Sequence, residues 1–517
     1  MCRTQSLTES SSLRLTLVDV WSIALIVLSL AIDLVWILYT GYIEEDAFIT
    51  FRFAQQIAAG NGFVYNMGQP IYGTTTPLLT LLLAGWLKYI SGDVVLGARL
   101  LNLLASGGML FFTWRTLRFL GRSASEQIFV LIAILMSSRL IYMNTQGMEM
   151  PLVLCLMAAS WYTFATGKVG WTGFLCGLLL WTRVDLLFWP AILVILAGFQ
   201  SLKSSLRLAL FAGLTYLPWV LFATMYFGSP IPFTVTAKWV AYSQFNGSPL
   251  TNHLTTILEY LSPFRILGNF RLVGVAMVLA VISWATARTQ IPRERMFIVL
   301  FTFIILEVTR LTFTRATFFS RYFVPILWAT LILFGVALSL LWDRLKSIRI
   351  PRYAIIFILV LSVLAAIGSG ISFAQATEAR QTYRYEQSLK PIGIWLSENG
   401  EPQNTILLEP LGYVGYYSGL TMIDEVGLVT PEVVELKRQR IQAEQYISFF
   451  QPDYVILHCD DALRLHADES TGLAANYELA QTFNPLEFDP GKQLPPTDLN
   501  TLARSSCYQI WQRVGGE

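Results

Sequence analysis

Glu44, Glu45 and Asp46 stand just beyond an apolar run, Leu15 to Thr40, that is long enough to cross a bilayer, and Arg52 follows Glu45 by seven residues. Read as a helix that begins near Asp46, ends at Gly60 and continues its first turn backward, this stretch puts Glu45 and Arg52 on one face, about 10 Å apart along the axis. A carboxylate able to take a proton and a guanidinium fork suited to an oxyanion then look into the same space. Glu44 and Asp46 point elsewhere, since successive residues turn by about 100°, and Asp46 suits an N-cap or first-turn acid. Both kinds of group also have a purely structural reading. An acidic first turn stabilises a helix N-terminus by about 0.3–1 kcal/mol, and Arg52 can snorkel to lipid headgroups.

A helix carrying these groups has to lie beside the membrane. Ala47, Phe48, Phe51, Ala54, Ile57 and Ala58 make one broad apolar face on a segment too short to span, as expected of a helix in the interface plane. Turn-forming glycines and asparagines follow, then "PLLTLLLAGWLKYI" (Pro77 to Ile90), a second surface helix opened by proline at its first turn. The 44–90 loop thus reads as two amphipathic juxtamembrane helices.

The 517 residues are 54% hydrophobic and only 14% charged, against about 25% charged for a soluble domain. The chain therefore reads as a polytopic α-helical membrane protein. A net charge of +2 leaves no basic field for nucleic acid. The first apolar run exceeds a signal h-region and has no cleavage site after it, so it is expected to remain as an anchor. About eleven spans are expected, near 17–40, 92–112, 127–143, 151–166, 170–182, 186–200, 208–226, 270–286, 296–311, 322–341 and 353–373. Alternate loops carry Arg3 and Arg14; Arg115, Arg118 and Arg122; Lys203 and Arg207; Arg288, Arg293 and Arg295; Arg344, Lys346, Arg349 and Arg352. The positive-inside rule places those loops and the N-terminus in the cytoplasm of a plasma (inner) membrane protein. The 44–90 loop, the 227–265 loop and the tail then lie outside. The expected division is a membrane module over 1–375 and an extracytoplasmic α/β domain over 376–517, with strand-like "TILLEP" (Thr405 to Pro410) and "DYVILH" (Asp453 to His458) beside a helical stretch from Glu432 to Phe450.

Ionisable residues near spans are costly and usually paired or functional. Arg321 and Arg315 sit at the outer mouth of one span, with Glu307 and Arg310 inside the preceding one. Arg321 is a candidate phosphate ligand and Arg315 a solvated flank. Glu149 lines a site or merely opens a helix; Arg183 and Asp185 line a site or pair at a tight turn; Lys238 binds lipid phosphate or anchors its loop. Cys459 and Cys507 in the tail could pair outside the cell. The three histidines, His253, His458 and His466, have no metal-site spacing, so no cofactor is assigned, although a divalent cation held by carboxylates stays compatible with the sequence. "GYVGYYSG" (Gly412 to Gly419) lacks the pattern of a nucleotide loop, and its aromatics suit either a core or a sugar platform.

"EDAFITFRFAQQIAAGNGFVYN", "YGTTTPL", "GMEMPL", "WTRVD", "FGSPIPFTVTAK", "SRYFVP" and "GYVGYYSGLTMIDEVGLVTPEV" together resemble, in order along most of the chain, GT-C class glycosyltransferases that use polyprenyl-phosphate sugars. That group includes protein O-mannosyltransferases, lipid A aminoarabinose transferases and mycobacterial arabinofuranosyltransferases. The resemblance implies the GT-C fold and makes the first acid of the pair catalytic, which falls on Glu45. The family usually has Asp there, which keeps Asp46 open as the base. The lysine that binds phosphate in the aminoarabinose enzymes would fall near Thr75, so Arg52 or Arg321 has to take its place.

Such a transfer needs one base for the acceptor hydroxyl, typically worth about 10²–10⁴-fold, and a fixed cation for a phosphate that leaves without protonation. The expected function is an inverting transfer of a sugar, such as arabinofuranose or mannose, from a polyprenyl-phosphate donor to an extracytoplasmic hydroxyl on a cell-wall glycan, a lipid or a protein. Glu45 or Asp46 is the expected base, with Arg52, Arg321, Glu149, Lys238, Arg183 and Asp185 binding substrate. The competing class is a non-enzymatic lipid or polysaccharide transporter, in which the same arginines hold headgroups.

Overall fold

The computed structural model describes residues 16–242, 295–314, 319–347, 352–468, 471–491 and 498–514. The expected span at 270–286 lies outside them, as do Arg3, Arg14, Arg288, Arg293, Arg315, Arg349 and His253.

The first helix, α1 (Leu17–Thr40), starts at a capping box in which Thr16 and Asp19 satisfy each other's backbone amides, and stops at Gly41 in the left-handed region. Asp19 also pairs with Arg118 at 2.6 Å. Since Arg118 is in the last turn of α4 (Val94–Phe119), the two helices run in opposite directions, with the basic residues at the end away from Glu44. Between them come α2 (Glu45–Ala58) and α3 (Pro77–Tyr89). After α4 follow α5 (Ala124–Leu135), α6 (Ser138–Thr145), α7 (Met150–Ala165), α8 (Val169–Thr182), α9 (Phe188–Gly198), α10 (Leu202–Phe227), α11 (Phe233–Ala241), α12 (Arg295–Thr314), α13 (Val324–Ser347) and α14 (Arg352–Arg380).

The protein is a multi-helix membrane protein. Among the described residues five helices are long and apolar enough to cross a bilayer, or six if α5 and α6, bent by 63°, count as one. This is fewer than the eleven expected. Helices α7, α8 and α9 are present but have only 16, 14 and 11 residues, short of the roughly 20 that a bilayer needs. Apolar runs bounded by charge mark helices, but do not say which cross.

A nine-residue π-helical segment, Gln381–Leu389, carries α14 into α15 (Lys390–Asn399) and the tail. There β1 (Thr405–Leu408), α16 (Leu411–Ser418), β2 (Thr421–Asp424), α17 (Pro431–Arg438), β3 (Tyr454–His458), β4 (Tyr477–Phe483) and β5 (Tyr508–Arg513) build a sheet of order β2-β1-β3-β5-β4. The first three strands run parallel, and β5 and β4 are antiparallel. A disulfide joins Cys459, just past β3, to Cys507, just before β5. The expected helix over 432–450 is broken: α17 ends at Arg438, and a separate short helix, Tyr446–Phe450, follows.

The helix α2 is enclosed by protein on both of its faces. Every residue from Ala47 to Ala54 is buried, because α16 covers the face expected to meet water. One apolar core runs from Phe48, Phe51 and Tyr65 through Tyr413 and Val414 to Ile406 and Ile510 of the sheet. This docking needs glycine at two places: a Cβ on Gly412 would collide with the Glu45 carbonyl, and one on Gly415 with the Tyr65 hydroxyl. The "GYVGYYSG" aromatics are thus mainly core, with Tyr413 stacked 4.8 Å from Tyr385.

Candidate functional site

The first turn of α2 opens into a cavity of about 280 Å³ between the membrane helices and the tail. Glu44, Glu45 and Asp46 line it, facing Lys238 of α11, Arg321, and Arg380 and Arg384 at the junction of α14 with the π-helical segment; Glu409, just after β1, also lines it. The three acids differ in their partners. Glu44 accepts hydrogen bonds from the hydroxyls of Tyr42 (2.9 Å) and Tyr142 (3.1 Å). Glu45 accepts one from the Gly412 amide. Asp46 pairs with Arg321 at 2.5 Å, its side chain still one-third exposed.

The ionisation of the neighbouring pair is split. Burial, reinforced by the charge on Asp46, raises the Glu45 pKa well above the carboxylate range. Burial works against ionisation at Asp46 too, but Arg321 and Lys238 outweigh it and hold that carboxyl below its usual value. Glu45 is therefore the neutral member of the pair and Asp46 the anion. Lys238 is pushed down to about 8 by burial and then by Arg321. Lys238, Arg380 and Arg384 form no ion pair among the described residues.

Lys238, Tyr242 and Phe319 also line a second cavity of about 260 Å³, with mostly apolar walls that include Trp239 and Leu311. Thr75 lies in its wall. An apolar space and a charged one thus meet at a lysine.

Beside them lies a closed network. Arg183 donates to Glu149 at 2.8 Å and to both Asp185 oxygens at 2.8 and 2.6 Å. Arg310 pairs with Glu307 at 2.7 Å and comes within 3.9 Å of Asp185. Arg183 and Asp185 line the apolar cavity, but their charges are directed mainly at one another; Glu149 is buried behind them.

Arg52 is a correction to the sequence expectation. It does share a face with Glu45, but both meet α16. Its guanidinium donates to the carbonyls of Tyr65 (2.9 Å), Gly415 and Leu420 (2.6 Å), lies 4.5 Å from the Tyr65 ring centre and is 1% exposed. Buried and directed at backbone carbonyls, it lines neither cavity and is turned away from where a phosphate would sit. Sequence reading missed Arg380, Arg384, Tyr242 and Glu409. One signal was there: Arg380 and Arg384 stand one helical turn apart just past the last expected span, on the side where the positive-inside rule puts few cations. Among the described residues no three His, Cys, Asp or Glu side chains converge on a common metal position.

Residues 377–511 match a family described as a domain of unknown function, DUF8728. No curated protein matches the sequence. The fold is similar to that of ArnT from Cupriavidus metallidurans bound to undecaprenyl phosphate, at 15% identity and a TM-score of 0.60 over 86% of this chain and 94% of that one. The same protein in its apo state is similar at 13% identity and a TM-score of 0.57, over 87% and 95%. The Archaeoglobus fulgidus oligosaccharyltransferase in its apo form is similar at 12% identity and a TM-score of 0.52, over 86% of this chain and 70% of that one. These likenesses establish that the chain shares the fold of ArnT over most of its length.

Proposed function

We propose that the protein is an inverting glycosyltransferase that moves a sugar from a polyprenyl-phosphate donor to an acceptor hydroxyl at the outer face of the plasma membrane. The observation that carries this reading is the junction at Lys238, where a cavity lined by four carboxyl groups and four cationic side chains meets an apolar one. A donor of this class has both characters, a greasy chain and an anionic phosphate. Undecaprenyl phosphate occupies the similar ArnT structure, and a chain of that kind suits the apolar cavity beside Trp239. Its phosphate then reaches Lys238 and Arg321, which favour the negative charge that grows on the leaving group. Asp46 takes the proton from the acceptor hydroxyl as its oxygen attacks the anomeric carbon, and polyprenyl phosphate leaves from the opposite side. Single displacement inverts that centre. Glu45, kept neutral by burial, holds its proton beside Asp46 and keeps α16 against the cavity through the Gly412 amide. The closed Arg183 network stiffens the wall.

The orientation rests on α1 running from the Arg118 end to the cavity, and on the Cys459–Cys507 disulfide, which suits an oxidising compartment. The full-length protein in proteoliposomes, given radiolabelled polyprenyl-phosphate sugars and a native membrane fraction as acceptor, is expected to release polyprenyl phosphate. Asp46→Asn should slow release by about 10²–10⁴-fold and Glu45→Gln by less. Full turnover in Asp46→Asn removes the base assignment. Donor movement across the bilayer without cleavage would instead identify a transporter.

A further inference from the structure

A third cavity, of about 410 Å³, lies among α1, the bend from α5 to α6, and α14, with Trp36, Tyr39, Ser138, Ile141, Gly370 and Ala374 in its walls. It opens toward the lipid: Val35, Tyr39 and Ile371 are more than half exposed. Two polar groups distinguish it from an ordinary gap between helices. The indole nitrogen of Trp36 and the hydroxyl of Ser138 belong to residues only 7% and 3% exposed, and neither has a hydrogen-bond partner. Leaving a buried donor unpaired costs about 1–3 kcal/mol, and an indole N–H can be satisfied only by an acceptor. An apolar groove with two unsatisfied donors fits a chain that carries oxygen near one end.

All three walls lead to the Asp46 cavity. Tyr39 is five residues before Glu44, Ile141 five before Gln146, and Ala374 six before Arg380; Glu44, Gln146 and Arg380 line that cavity. The last two steps run along α6 and α14, where the helical rise makes them about 7–9 Å. Tyr42 and Tyr142, ring centres 5.3 Å apart, stand between, with Phe373 5.1 Å from Tyr142. Such an aromatic layer suits headgroup depth. Beyond it Arg380 is an exposed cation without an ion pair among the described residues, complementary to a phosphate. The apolar cavity beside Lys238 is on the other side of Asp46 and is already assigned to the donor.

We propose that this groove binds an anionic glycerophospholipid, and that this lipid is the acceptor. The proposal rests on the glycosyltransferase reading. The lipid's chain lies along α14, its oxygens accept from Trp36 and Ser138, and Arg380 holds its phosphate so that a headgroup hydroxyl reaches Asp46. In the transfer this hydroxyl gives its proton to Asp46 and forms the new glycosidic C–O bond; the C–O bond to the donor phosphate breaks and polyprenyl phosphate carries away the electron pair.

Gly370 provides the test. A Cβ there meets nothing within 4 Å, and the same holds for Gly368, which is outside the groove. Either can therefore take a tryptophan without a clash at Cβ. Full-length protein is placed in nanodiscs containing phosphatidylglycerol with a photoreactive acyl chain, and supplied with radiolabelled undecaprenyl-phosphate mannose or arabinofuranose. Crosslinks are expected at α1 and α14, in preference to a phosphatidylcholine probe, falling at least tenfold in Gly370→Trp and unchanged in Gly368→Trp. Label should migrate with phosphatidylglycerol in wild type and be lost in Gly370→Trp with donor binding intact. Crosslinks that ignore Gly370→Trp, or that favour neither headgroup, overturn the groove. Label reaching only glycan or protein overturns the acceptor assignment while the transferase reading stands. Donor that is bound but never cleaved, with groove crosslinks intact, overturns the transferase reading and the acceptor role with it.

Discussion

Two clusters of charge sit side by side where the membrane helices meet the tail, and they are built on different principles. Around Arg183 the carboxylates of Glu149 and Asp185, with the Arg310–Glu307 pair beside them, are bound directly to arginines of the same cluster. Around Asp46 only Arg321 is paired, while Lys238 and Arg384 face the cavity without an ion partner among the described residues. In the closed cluster three carboxylates surround two arginines, so each cation already has an anionic partner within the protein. In the open one an arriving oxyanion can pair with cations that no carboxylate among the described residues holds. Proximity to a cavity therefore says less about function than the balance of charge around it.

The contrast can be broken most directly by deleting its two central arginines. Arg183→Met strands the Glu149 carboxylate, 1% exposed, together with Asp185. A loss of about 3–5 kcal/mol is expected, read as a collapse of thermal stability in detergent. Arg321→Met should leave the melting temperature nearly unchanged, since Asp46 is open to the cavity, but lower turnover by about 10²–10³-fold. Equal loss of folding in both variants would erase the distinction. A gentler probe is pH. Lys238 is cationic below about 8 and neutral above, so kcat/KM should decline about tenfold per unit as pH rises past 8, with the acceptor saturating. Lys238→Arg, which stays charged, should move that limb upward; an unchanged limb would assign it to another group.

Part of this arrangement was legible from residue order. The bounds of α2 followed from the acids at its start and Gly60 just past its end, which adopts φ +86. Strands β1 and β3 showed as apolar runs because they are central and buried on both faces. Strands β4 and β2 were hidden because they are the two edges of the sheet, β4 mostly exposed and β2 buried only at alternate residues. Arg52 shows the limit more sharply. Its seven-residue spacing from Glu45 predicted a shared face correctly, but the face is occupied by the α16 backbone, more than 350 residues away in the chain. Spacing reports direction on a helix; it carries no information about what stands opposite.

The sequence alone determined that the chain is a helical membrane protein, that acids follow its first span, and that a small α/β unit ends it, since hydropathy, periodicity and caps are local properties read over one or a few turns. Only the tertiary structure decided which acid is ionised, which arginines are already spent, and which cations face a cavity. Those outcomes depend on burial and on partners brought together from distant segments, and a carboxylate's charge is set by the groups within a few ångströms of it, whatever their place in the chain.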